Sequence, residues 1–181
     1  WDRDEWMPVG GGFGPDEFSF MDCFALFDDG TGEALYAGGN FATADGQPAT
    51  YLARWNGAAW SAVGGGLDAS VWGLTVFDDG AGPALHVAGT FSEAGSVAAA
   101  SVAKWDGREW SPLGSGTSAG ANPLLAFDDG SGPALYVGSY QPNAYESGDS
   151  YLAKWAGCPP SPWSSLGFAL PGAAGAPLLA G

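Results

Sequence analysis

Pairs of adjacent aspartates, each followed by glycine, recur at intervals of fifty residues and concentrate carboxylates in short turns. The six residues are Asp28, Asp29, Asp78, Asp79, Asp128 and Asp129. Carboxylate oxygens suit Ca²⁺, but that ion takes about six to eight oxygens, more than one short turn supplies. A calcium site would therefore need a second acidic loop, and loops of this kind hold Asp45, Glu93, Glu146 and Asp149. We favour the interpretation that the aspartates form solvent-facing turns, with calcium binding as the alternative.

A basic residue recurs at the same spacing, as Arg54, Lys104 and Lys154. Three such cations could bind anions, one in each repeat. The role we expect is an ion pair with a nearby carboxylate, or a position across an aromatic face.

The other reactive side chains predict neither catalysis nor a cofactor. His86 is the only histidine and occupies the repeat position of Tyr36 and Tyr136, which favours a structural role. One histidine and two cysteines are too few for a multi-histidine zinc or copper site. Cys23 and Cys158 lack metal-ligand spacing; they either form a disulfide, within or between chains, or stay free. The chain also lacks a nucleophile elbow, a phosphate loop and a metal-binding helix motif.

Most of the nine tryptophans fall at equivalent positions of the repeats, which indicates packing. Trp72 is the exception, because the equivalent positions hold Asp22 and Asn122. It is therefore the candidate for a specific ligand contact, such as stacking on a glycan.

The charge of the chain excludes several classes of partner. Twenty acidic residues against five basic ones give a net charge of −15, and such a surface cannot neutralise a row of phosphates. It is equally unsuited to an anionic membrane surface, and no apolar run is long enough to span a bilayer. We expect no nucleic-acid binding, no membrane insertion and a secreted or cell-surface location.

The repeat itself predicts the elements that position these residues. Each unit contains four short runs rich in β-branched, aromatic and small residues, bounded by Gly, Asp, Asn or Pro. In the middle unit the runs are 71–77, 84–91, 100–105 and 109–114. The Asn-Gly or Asp-Gly turn at 56–57 and 106–107 should join the last two strands and bring two tryptophans together.

These units predict an all-β fold of propeller-like blades. Three full units span about 18–64, 71–114 and 122–167. A partial unit at 1–17 holds a lone outer strand at 4–9, and 168–181 forms a linker or docking strand. Propellers typically have at least about four blades. Three blades therefore indicate either a piece of a longer ring or copies that complete one another by exchanging strands or blades.

The stretch "ALYAGGNF" followed by "YLARWNGAAWSAVG" resembles a kelch blade, as in the central propeller of galactose-oxidase-like proteins. The pattern W-[ND]-G-x-x-W…FDDG-x-G-P-A-L-[YH] is also similar to repeats of secreted bacterial proteins. The resemblance covers roughly 1–167 and implies a β-propeller. It departs from kelch at Ala88-Gly89 and Gly138-Ser139, where the first unit has Gly-Gly.

The function predicted from these features is that of a non-enzymatic extracellular structural or interaction module. Its expected partner is itself, in a ring or filament, with a glycan or a surface protein as further options. The alternatives are a calcium- or glycan-binding propeller and part of a larger secreted propeller enzyme.

Overall fold

A computed structural model of the chain describes residues 5–14, 18–117, 120–139, 151–155 and 163–165. Its 17 strands confirm the prediction of an all-β chain. Across these ranges the structure contains no helix that is long and apolar enough to cross a membrane.

Three antiparallel four-stranded sheets follow one another along the chain, one in each full unit. The first contains β2 (Phe20–Asp28), β3 (Glu33–Asn40), β6 (Leu52–Trp55) and β7 (Trp60–Ala62). The second contains β8 (Val71–Asp78), β9 (Pro83–Gly89), β12 (Val102–Trp105) and β13 (Trp110–Pro112). The third contains β14 (Ala121–Asp128), β15 (Pro133–Ser139), β16 (Leu152–Trp155) and β17 (Trp163–Ser165). The four runs predicted in the middle unit are the four strands of its sheet, with ends that differ by at most two residues.

The last two strands of each sheet form the predicted hairpin with its pair of tryptophans. Trp55 lies directly opposite Trp60, and Trp105 lies opposite Trp110. The ring centroids are 5.4 Å apart in the first pair and 5.2 Å apart in the second, within the range for favourable aromatic contact. The turn is closed by Asn56, whose Oδ1 accepts hydrogen bonds from the backbone N–H groups of Ala58 and Ala59.

The middle sheet packs on both neighbours, with β8 in contact with both β2 and β14. Side chains alternate along a strand, so each sheet presents two distinct faces. One face of the second sheet carries Leu74 and Leu85, which share a core with the first sheet. The opposite face carries Phe77 and Val102, which share a second core with the third sheet.

In the first two units, a small hairpin pairs with the segment that precedes the sheet, a feature that the sequence analysis missed. The hairpins are β4 (Thr43–Ala44) with β5 (Gln47–Pro48), and β10 (Glu93–Ala94) with β11 (Val97–Ala98). The preceding segment pairs with each hairpin, through β1 (Phe13–Gly14) on β4 and through Leu67 opposite Ala94. In the second sheet, Trp110 Nε1 also donates to the carbonyl oxygen of Gly64, 3.1 Å away.

The lone outer strand predicted at 4–9 is not a strand in the structure. Residues 5–9 contain only a single bridge, at Glu5. A strand needs neighbours to pair with its backbone, and Pro8 lacks the N–H that such pairing requires. Asp4 and the tail predicted at 168–181 lie outside the described residues.

Gly107 marks a close approach between the second sheet and the first acidic turn. A Cβ at Gly107 would lie 2.6 Å from the backbone oxygen of Asp29, whereas one at the equivalent Gly57 would meet nothing within 4 Å. The two φ angles are nearly equal, 99° and 94°. Both alanine variants therefore carry the strain of positive φ, about 1 kcal/mol.

We expect Gly107→Ala to lower the free energy of unfolding by about 1–3 kcal/mol more than Gly57→Ala, because the added methyl group pushes two backbones apart. Urea unfolding at a dilution where the chain is monomeric measures the difference. Equal costs for the two variants would contradict the close approach.

Candidate functional site

The first aspartate of each acidic pair holds its own turn. Asp28 Oδ1 accepts hydrogen bonds from the N–H groups of Gly30 and Gly32, at 2.9 and 3.0 Å. Asp78 and Asp128 make the same two bonds in their units. Gly30 can take its φ of 90° because it has no Cβ. These contacts agree with the turn-forming role predicted for the aspartates.

The second aspartate forms an ion pair with the recurrent basic residue of its own unit. Arg54 Nε lies 2.9 Å from Asp29 Oδ2, and Lys104 and Lys154 make the equivalent contacts with Asp79 and Asp129 at 2.5 and 2.8 Å. The role predicted for the three cations is confirmed.

In the first and third units, hydroxyl groups complete this ion pair. Tyr36 donates to Asp29 Oδ2 at 2.9 Å, and Tyr136 donates to Asp129 Oδ2 at 2.7 Å. Burial acts to raise the pKa of Asp29, but hydrogen bonds from Thr31 and Tyr36, together with Arg54, hold that pKa below its ordinary value. The carboxylate is thus fully engaged within its own unit.

The middle unit lacks these hydroxyl groups. Ala81 stands at the position of Thr31, and His86 stands at the position of Tyr36. The His86 side chain is fully buried, and its Nδ1 lies 3.1 Å from the carbonyl oxygen of Ala84. Its Nε2 has no hydrogen-bond partner among the described residues. Burial lowers the pKa of His86 to about 4, so the ring is neutral at physiological pH.

Calcium binding at the acidic turns remains a prediction. No group of three or more His, Cys, Asp or Glu side chains within the described residues is arranged to hold a metal ion. Asp45 accepts a hydrogen bond from the Gly11 N–H, and the Glu93 N–H donates to Asp68. Glu146 and Asp149 lie outside the described residues. A calcium ion at an acidic turn would have to compete with the contacts that already engage the carboxylates.

Removing the Tyr36 hydroxyl group is expected to destabilise the first unit. Tyr36→Phe leaves the partly buried Asp29 with one hydrogen bond fewer, and we expect a loss of about 1–2 kcal/mol in the free energy of unfolding. Tyr136→Phe is the matched control, with a smaller expected loss because Asp129 is more exposed than Asp29. Urea unfolding of both variants checks the order, and a larger loss for Tyr136→Phe would contradict it.

Two other candidates lie at junctions between sheets. The Trp72 ring is half-buried, and a Cβ at Gly120, just before the third sheet, would lie 3.2 Å from it. The Cys23 thiol packs against the core between the first two sheets, and burial raises its pKa to about 12. Cys158 lies outside the described residues, so the disulfide remains a prediction, as does a ligand contact at Trp72.

Large apolar side chains are exposed at both ends of the row of sheets. The partial unit exposes Trp6, Met7 and Val9, the first full unit exposes Phe18, Phe20, Met21, Phe24 and Leu26, and the third exposes Leu125, Phe127, Tyr151 and Leu152. The described part of the middle unit exposes none. We call the side of the first sheet that bears Phe24 and Leu26 the leading face, and the side of the third sheet that bears Leu125 and Phe127 the trailing face.

Residues at equivalent positions of the three units are buried where a neighbouring sheet covers them and exposed where none of the described sheets does. Phe27 and Phe77 are 4% and 7% exposed, whereas Phe127 is 54% exposed. On the opposite side, Leu74 and Leu124 are 9% and 8% exposed, whereas Phe24 is 52% exposed. The trailing and leading faces thus carry core-type residues that no sheet of the described residues covers.

The leading face contains an apolar hollow of about 450 Å³ beside the Trp60 ring. Its lining includes Phe13, Met21, Phe24 and Leu35. The sequence analysis did not identify the residues of these two faces. The signal that could have identified them is the apolar repeat, because the first and third units each have a described neighbour on one side only.

Comparison with protein-family models, with curated proteins and with solved structures finds no match to this chain.

Proposed function

We propose that the three sheets are blades of a propeller-type arrangement. Support comes from the order of packing, in which the edge strand β8 of the middle sheet contacts the corresponding strands β2 and β14 of its neighbours. Each blade has four antiparallel strands, as propeller blades do. In the first two blades, the small hairpin pairs with the segment that precedes the sheet.

We further propose that the chain is a non-enzymatic structural module, working outside the cell, that associates with other copies of itself. The observation that carries this proposal is the exposure of core-type apolar residues on the leading and trailing faces. Exposed apolar patches on a folded protein mark interaction sites. Phe127 loses contact with water when a partner covers it, and that burial supplies the driving force.

Sedimentation velocity over a range of protein concentrations tests the association. Each copy carries a net charge of −15, so the buffer should contain enough salt to screen repulsion between copies. We expect the mean mass of the wild-type chain to rise with concentration.

The matched variants are Phe127→Asp and Ala98→Asp. Both add one carboxylate to an exposed position, but Ala98 lies on the small hairpin of the middle unit, away from the two faces. Phe127→Asp should stay monomeric, because association would bury the new charge. Ala98→Asp should associate like the wild type. A wild-type chain that remains a monomer at every concentration would overturn the proposal.

A further inference from the structure

We propose that the joint between copies is head to tail, with the trailing face of one copy on the leading face of another, in the register that the chain already uses internally. This inference rests on the proposed function, since it specifies the surface through which the copies associate. It predicts which residues meet across the joint.

The apolar part of this register can be read from the two internal interfaces. Each pairs a phenylalanine and an aliphatic residue of one sheet with two leucines of the next. These sets are Phe27 and Leu52 with Leu74 and Leu85, and Phe77 and Val102 with Leu124 and Leu135.

The next members of the series lie on the two end faces. Phe127 and Leu152 on the trailing face are equivalent to Phe27 and Leu52, and both are exposed. Phe24 and Leu35 on the leading face are equivalent to Leu74 and Leu85. The two faces are therefore complementary to each other in the same sense as the faces that meet twice inside the chain.

The hollow beside Trp60 supports the same register. Of its lining, Phe13, Phe24, Leu35 and Trp60 correspond to Leu67, Leu74, Leu85 and Trp110 in the second unit. Those four residues are buried in the core shared with the first sheet. Phe27 reaches this core from the first sheet, so the equivalent Phe127 of a second copy is placed to enter the hollow.

A contact between two turns specifies a second pair of residues that should meet across the joint. Inside the chain, a Cβ built on Gly107 lies 3.0 Å from the Asp29 Cβ. The equivalent Gly57 has open space, with nothing within 4 Å. In a head-to-tail joint, Gly57 of one copy meets the Asp129 turn of the other.

The two faces differ, so the joint is heterologous and generates either a closed ring or an open filament. A symmetric pair of leading faces would place one hollow against another. It would leave Phe127 exposed in both copies. The head-to-tail joint instead covers both faces.

A disulfide trap tests the register. Gly57→Cys and Asp129→Cys are made in separate copies that carry tags of different size, each in a Cys23→Ala, Cys158→Ser background. A disulfide needs Cβ atoms about 3.5–4.5 Å apart, slightly more than the 3.0 Å of the equivalent internal contact. Mild oxidation of the mixture should therefore link the two copies after a small separation of the two turns. Gly57→Cys mixed with Asp79→Cys is the matched control and should not cross-link.

Gly57→Ala provides a second measurement that does not alter Asp129. Its methyl group would collide at the joint, and we expect a roughly tenfold weaker self-association, equivalent to about 1.4 kcal/mol. Gly82→Ala is the control, because Gly82 also has a positive φ, 105°, and open space around it. It should leave the affinity unchanged.

The outcomes separate the two proposals. A wild-type chain that never associates refutes the proposed function. Association that persists with full strength in Gly57→Ala, without cross-linking between Gly57→Cys and Asp129→Cys, overturns this register alone. Cross-linking confined to pairs of Gly57→Cys copies would show a symmetric joint and would overturn it as well.

Discussion

Phe77→Ala is expected to lower the free energy of unfolding by about 3–5 kcal/mol, the cost of removing a buried phenylalanine from a packed core. The Phe77 side chain lies between the second and third sheets, in a cluster with Leu124 and Leu135. Truncation removes contacts on both sheets and leaves a cavity that the surrounding strands can fill only in part. The loss should appear in urea unfolding of the monomer as a lower midpoint with an unchanged slope.

Phe127→Ala is the matched control, because the residue type and the strand position are the same and each phenylalanine ring lies against one ring of the adjacent strand. Phe77 lies against His86 with ring centroids 5.7 Å apart, and Phe127 lies against Tyr136 at 5.8 Å. Besides this change of neighbouring ring, the two positions differ in the sheet that covers Phe77. We expect Phe127→Ala to cost the monomer about 1 kcal/mol or less. Similar losses for both variants would show that neighbouring sheets do not contribute to the stability of these positions.

Acidification is expected to destabilise the monomer between pH 6.5 and about 4 through His86. An unfolded histidine binds a proton near pH 6.5, but burial lowers the pKa of His86 to about 4 in the folded chain. The unfolded state therefore binds more protons in this window, so stability is fully present above about pH 6.5 and falls as the pH falls. The difference between the two pKa values corresponds to roughly 3 kcal/mol.

His86→Tyr isolates this contribution. Tyrosine is the residue of the other two units, and its hydroxyl group should donate to Asp79 as Tyr36 donates to Asp29. Lys104 and Asp79 are present in both proteins, as is the relief of charge repulsion on acidification, so the difference between their stability curves reports on His86. We expect a flatter profile for His86→Tyr from pH 7 to pH 4.5. An NMR titration of the wild-type chain, which has one histidine, measures the pKa directly, and a pKa near 6.5 would contradict the prediction.

The sequence predicted much of the fold because the relevant interactions are local to one unit. Asn56-Gly57 specifies a tight turn, and the turn brings Trp55 and Trp60 together across the hairpin. For Arg54 the sequence predicted a nearby carboxylate or an aromatic face without naming the residue, and the structure identifies the partner as Asp29, about half a repeat away. Short loops leave such partners few alternative arrangements.

The small hairpins and the segments that pair with them were not predicted. Thr43–Ala44 and Gln47–Pro48 are too short to carry an alternating pattern. They become strands because Phe13–Gly14, a segment distant in sequence, supplies hydrogen-bond partners for the first of them. At the lone strand expected at 4–9, the described residues 5–9 form only a bridge at Glu5, and Pro8 lacks the N–H that continued pairing requires.

Residue type, turn chemistry and the fifty-residue spacing were therefore enough to specify strands, hairpins and ion pairs within each unit. Which copy of a repeated residue lies in the core was decided only by the packing of whole sheets. Phe27, Phe77 and Phe127 occupy the same position in the equivalent strands of the three units, yet the first two are buried and the third is exposed. Burial depends on whether another sheet lies across the face, and a single strand carries no information about its neighbour's presence.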